Sequence, residues 1–178
     1  MTHAWFVHVM WEKSMGDSKH MIRVICCGNP FRGDDGVGLD VFKRLKKETF
    51  PRQVQIIEGG ILGINLLPLF YGCDQVILVD SILMNETPGH LQWVTMADVL
   101  QNRPARISSH EINPVQLMTL WHQLNTDSAI SNILLLGIVI LEPKHLTDTI
   151  SPEIQQSSLM AVNEIKNKIR SFITHEKG

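Results

Sequence analysis

Short apolar runs punctuate the chain at 22–27, 54–57, 75–79 and 133–139, each rich in Val, Ile and Leu and bounded by glycine or acidic residues. Runs of that length without polar alternation predict strands buried on both faces, the habit of a parallel sheet. A further strand is expected at 90–95, where Leu91, Trp93 and Val94 follow the turn signal Thr87-Pro88-Gly89. Between the strands the apolar period lengthens. Val37, Val41 and Leu45 mark a helix over 36–48, and a second is expected over 62–71 after Gly59-Gly60. Asn113 and Pro114 open another as cap and first residue, continued by Val115, Met118, Trp121 and Leu124. The last helix opens at Ser151-Pro152-Glu153, with Ser151 as cap, and runs through Ile154, Ala161, Ile165 and Ile169 to Phe172. Strands alternating with helices predict an α/β fold, a three-layer α/β/α sandwich with a mostly parallel central sheet.

Composition changes this picture little. The 178 residues, 44% apolar and 19% charged, suit one domain with a core on both faces of a sheet. That domain is expected over 21–178, with 1–20 as a flexible N-terminal extension and Met21 as an alternative start. The histidines of the extension, His3, His8 and His20, form no tight cluster, which counts against a nickel-binding role. No secretory signal or membrane-length apolar run is present. A net charge of -2 and the lack of a Lys/Arg stripe argue against nucleic acid and anionic membrane as partners. The one dense basic cluster, Lys43, Arg44, Lys46 and Lys47, reads as the solvated face of a helix. Cys26, Cys27 and Cys73 lack metal-ligand spacing, and an odd count is poor material for disulfides, so a reducing, cytoplasmic setting is expected. Cys26 and Cys27 are expected on opposite faces of their strand as small buried hydrophobes.

Chemistry in an open parallel sheet gathers beyond the carboxyl ends of the strands, where loops and helix N-termini converge. That rule selects Asn29, Asp34 and Asp35 after the first strand, Glu58, Gly59 and Gly60 after the second, and Asp80 at the end of the third. His110 stands in the polar loop 106–113 just before a helix. Asp80 has a plainer reading as a turn cap, and Ser108 and Ser109 read as loop polar residues. An acid of the Asp34-Asp35 pair, Asp80 and His110 together offer two carboxylates and an imidazole. Such a set suits a divalent ion such as nickel or zinc, or general acid and base work with one carboxyl raised in pKa. The glycine-rich stretch 28–38 contains neither G-x-G-x-x-G in register with the strand end nor G-x-x-x-x-G-K-[ST], and its two acids would repel a phosphate at the helix N-terminus. No G-x-S-x-G elbow for a serine nucleophile occurs either.

Five segments then carry a resemblance: G-N-P-F-R-G-D-D-G-V-G (28–38), E-G-G-I-L-G (58–63), V-I-L-V-D-S (76–81), I-S-S-H (107–110) and L-L-G-I-V-I-L-E-P (135–143). Over residue 22 to the last helix the chain resembles the hydrogenase maturation proteases, which remove a C-terminal extension from the large subunit of nickel–iron hydrogenases. The resemblance implies a three-layer, phosphorylase/hydrolase-like fold and an endopeptidase that acts on the precursor after nickel insertion, with the nickel supplied by the substrate. It also implies that Asp35, Asp80 and His110 are the catalytic residues and the ones that contact the metal. Some members carry Glu where this chain has Asp35, and the family commonly has Asp where Glu58 stands, so Glu58 is a secondary candidate. The glycines of 28–38 are expected to bring backbone close to a bulky protein substrate. The alternative from another class is a non-catalytic nickel-binding or scaffold protein for hydrogenase assembly.

Overall fold

The computed structural model describes residues 21–61, 63–101, 113–124 and 132–175. Residues 1–20 and 102–112, the latter including Ser108, Ser109 and His110, lie outside them. The elements run β1 (Ile22–Cys27), a 3-10 turn (Gly33–Gly36), α1 (Val37–Leu45), β2 (Val54–Gly60), a 3-10 segment (Gly63–Phe70), β3 (Gln75–Ile82), β4 (Leu91–Thr95), α2 (Met96–Gln101), α3 (Pro114–Leu124), β5 (Asn132–Val139) and α4 (Pro152–His175). The strands form one sheet in the order β2-β1-β3-β5-β4. All neighbours are parallel except β4, which runs antiparallel to β5 along one edge.

Two apolar clusters cover the two faces and make the expected three layers. On one face Val24, Cys26, Ile77, Val79 and Leu136 pack against Val37, Val41 and Leu45 of α1 and Ile154, Ala161, Ile165 and Ile169 of α4. On the other, Ile25, Cys27, Leu78 and Leu135 pack against Leu66 and Phe70 of the 3-10 segment, Val99 of α2, and Leu117, Met118 and Trp121 of α3. Cys26 and Cys27 thus divide between the faces, as strand alternation requires. Lys43, Lys46 and Lys47 stand exposed, while Arg44 pairs along the helix with Asp40 at 2.7 Å.

Three elements depart from expectation. The segment expected as a helix over 62–71 is a 3-10 segment, Gly63–Phe70, with Pro68 inside it. A proline there removes one backbone donor and clashes with an α-helical turn, which the tighter winding avoids. Helix α2 was not anticipated; Thr95 and Asp98 cap it reciprocally, each backbone N–H donating to the other's side chain, at 2.8 and 3.2 Å. Strand β3 continues past 79 to Ile82, so Asp80 lies inside the strand's last turn of pleat rather than after it.

One contact sets the layer spacing at the functional end. A Cβ on Gly38, in the first turn of α1, would stand 1.8 Å from the Cys27 carbonyl oxygen and 3.0 Å from that of Val79. Helix α1 therefore crosses directly over the ends of β1 and β3 only because position 38 has no side chain. Gly38→Ala is expected to destabilise the protein by about 3 kcal/mol, the range of an overpacked core site, read from urea unfolding.

Candidate active site

The loop after β1 is stapled by its own backbone and by distant segments. Gly28 leaves the strand at φ 144°, a left-handed backbone that favours glycine, and donates to the Gly60 carbonyl at 3.0 Å. Asn29 accepts from the Phe31 N–H through its side chain at 3.0 Å and closes the loop by donating to the Asp35 carbonyl at 3.1 Å. Gly33 donates to the Thr147 carbonyl at 2.7 Å and Thr147 to Phe31 at 3.0 Å, a short ladder that fastens the loop to the segment before α4. Two of the glycines serve close approach within the chain's own backbone: a Cβ on Gly28 would lie 2.5 Å from the Asp35 carbonyl oxygen, and one on Gly36 3.3 Å from that of Asn29.

Asp34 and Asp35 fall in the 3-10 turn, where three residues per turn send successive side chains about 120° apart. They consequently meet different partners. Asp34 accepts from the Ser151 N–H at 2.7 Å and from its hydroxyl at 3.1 Å, tying the turn to the start of α4. The Ser151 hydroxyl, expected to cap α4, is thus committed to Asp34. Asp35 turns the other way. It lines a cleft of about 890 Å³ at the carboxyl end of the sheet together with Asp80, Ser81, Gly60, Arg32 and Asn113.

In that cleft the Ser81 hydroxyl donates to Asp35 Oδ1 at 2.5 Å, and the Ser81 N–H donates to Asp80 Oδ1 at 2.8 Å. Burial raises the Asp80 carboxyl from 3.8 to about 7; the Ser81 N–H opposes that rise and the Asp35 charge adds to it. Asp80 therefore exchanges a proton near neutrality, the property of a general acid or base. Among the described residues no group of three His, Cys, Asp or Glu side chains is placed to hold a metal. Asp35 and Asp80 make two such groups, and His110 lies outside the described residues. Glu58 is exposed on β2 and does not line the cleft, because it shares a sheet face with Ile56, on the α1 side. Ser81 is the residue that sequence reasoning missed, because its partner Asp35 is distant in the chain.

Two outcomes follow from these contacts. Asp80 has its folded pKa raised, so its protonated form contributes stability that is complete below the unfolded value near 4 and lost as pH rises through about 7. Urea unfolding from pH 4 to 8 should show that decline in the wild type and a flatter profile in Asp80→Asn. Asp34→Ala removes two hydrogen bonds to a carboxylate and should cost about 2 kcal/mol of stability in the same assay.

Comparison with known proteins gives the family. A family model described as hydrogenase maturation protease matches residues 39–168, a span that begins beyond Asp35 and includes Asp80 and His110. The chain is 28% identical over 139 residues to protein FrxA of Pyrococcus furiosus, covering 78% of this chain and 97% of that protein. It is 24% identical over 162 residues to the hydrogenase expression/formation protein HupD of Rhodobacter capsulatus, covering 85% and 72%. The hydrogenase maturating endopeptidase HybD from E. coli shares the fold, with a TM-score of 0.66 at 22% identity over 85% of this chain and 93% of that one. Matched over most of its length, the chain belongs to the hydrogenase maturation protease family.

Proposed function

We propose that this chain is an endopeptidase that removes the C-terminal extension of a nickel–iron hydrogenase large-subunit precursor once nickel has been inserted, reading the substrate's nickel as the sign of maturity. The observation that carries this reading is the pair of carboxylates, Asp35 and Asp80, brought together around Ser81 at a sheet-end cleft. Their oxygens, with the imidazole of His110, form a ligand set of the hardness a divalent nickel ion accepts. Asn113, three residues after His110 in the sequence, lines the same cleft.

Asp80 supplies the link between recognition and chemistry. Buried and beside Asp35, it holds a proton near neutrality. A cation arriving with the substrate favours the charged carboxylate and drives that proton off, so the acid pair becomes fully charged only against a loaded precursor. The carboxylates then hold the ion, and with it the adjoining peptide bond, in one place for cleavage. The rim of the cleft suits a protein substrate: Ile61 is 74% exposed, Leu83 60%, Ile64 50% and Met84 47%, an apolar collar around the acids. Three free, buried cysteines support a reducing, cytoplasmic setting, and no helix among the described residues is long and apolar enough to cross a membrane.

The test is to incubate the purified chain with nickel-loaded precursor and weigh the large subunit. Loss of a C-terminal peptide is expected; an unchanged mass would sink the peptidase reading in favour of a non-catalytic nickel-binding scaffold. Asp35→Asn, Asp80→Asn and His110→Ala should each slow processing by about 100-fold or more, whereas Asp34→Asn should retain it. Ile61→Asp combined with Leu83→Asp should raise KM for the precursor while leaving kcat near the wild-type value.

A further inference from the structure

Between the two acids stands Ser81, in β3. Successive side chains of a strand leave on opposite faces. Leu78 packs into the layer of the 3-10 segment and α3, and Val79 into that of α1 and α4. By the same alternation Asp80 emerges on the first side and Ser81 on the second, where the 3-10 turn delivers Asp35. The Ser81 hydroxyl donates to Asp35 Oδ1 at 2.5 Å while its backbone N–H donates to Asp80 Oδ1 at 2.8 Å. The Oδ2 atom of each carboxylate has no hydrogen-bond partner among the described residues.

We propose that Ser81 is the positioning residue of the acid pair, a single anchor that holds one oxygen of each carboxylate and leaves the other oxygen of each for the substrate. Its consequence for turnover rests on the peptidase reading; the anchoring itself rests on geometry alone. A hydroxyl suits this task because it is a neutral donor. An Arg or Lys would fix Asp35 equally well but would cancel the charge that is to meet a cation on the substrate. Anchoring Oδ1 also fixes the direction in which each Oδ2 faces the cleft, since a carboxylate held at one oxygen has lost its free rotation. The backbone half of the anchor is indifferent to the side chain at 81, so the two halves can be separated by mutation.

Ser81→Ala deletes the bond to Asp35 and keeps the one to Asp80; Ser81→Thr restores a hydroxyl. Processing of nickel-loaded precursor by Ser81→Ala should show kcat about 10- to 100-fold lower, the worth of a hydrogen bond to a charged group. KM and the melting temperature should stay near wild type, with most of kcat recovered in Ser81→Thr. Crystal structures of both variants give a readout independent of activity: the Asp35 carboxylate should leave its position in Ser81→Ala and regain it in Ser81→Thr. Wild-type kcat in Ser81→Ala, a loss of kcat matched by a loss of melting temperature, or an unmoved Asp35 carboxylate would each overturn the proposal. Should the wild type fail to cleave the precursor, the peptidase reading falls, and the Asp35 position in the two variant structures still decides for or against the anchor.

Discussion

The contact of Gly38 with the Cys27 carbonyl is the constraint on which the functional end depends. It lets α1 lie across the ends of β1 and β3 at backbone contact, and so fixes where the preceding 3-10 turn can stand. The loop between β1 and that turn closes on itself at Asn29 and Asp35, with a left-handed Gly28 at its start. A bulkier layer spacing would lift the turn away from β3, and Asp35 would lose the strand end. Close packing of apolar layers is thus converted into placement of a polar group, because interiors transmit position with little slack.

Against that placement works the electrostatic cost of setting two acids together in a half-buried cleft. Burial and the neighbouring charge push Asp80 up to about 7, and the fold counters with donors instead of cations. Ser81 provides two of those donors from one residue. The compromise leaves one acid titrating near neutral pH, in a place where a positively charged partner would favour its ionised form.

Much of this was legible in the chain. Unbroken apolar runs over 22–27, 75–79 and 133–139 announced central parallel strands, and the strand-end rule led from them to the Asp34-Asp35 pair and Asp80, the family resemblance alone choosing Asp35 over Asp34. Where the reading failed, a local feature overrode the pattern. Pro68 turned an apolar helical period into 3-10 winding, and the reciprocal cap of Thr95 and Asp98 built α2 from a stretch with little apolar period of its own. Asp80 was placed after its strand because a charged residue ends an apolar run, whereas the backbone ladder with β5 continues as far as Ile82. Ser81 was overlooked for a different reason. A serine has no sequence signal until its partners are known, and its partner Asp35 is distant in the chain.

Adjacent Asp34 and Asp35 show how a doubled acid can be one device with two anchors. The 3-10 turn sends the first toward Ser151 at the start of α4 and the second toward Ser81 in β3. Both add to a turn that the backbone already holds, from Asn29 to the Asp35 carbonyl and from Gly33 to that of Thr147. Two side-chain bonds pointing about 120° apart resist rotation of that turn further, and the Ser151 N–H needs only an oxygen acceptor at position 34, which an amide would also offer. Asp34 therefore contributes to the placement of Asp35 through the rigidity of the turn rather than through charge.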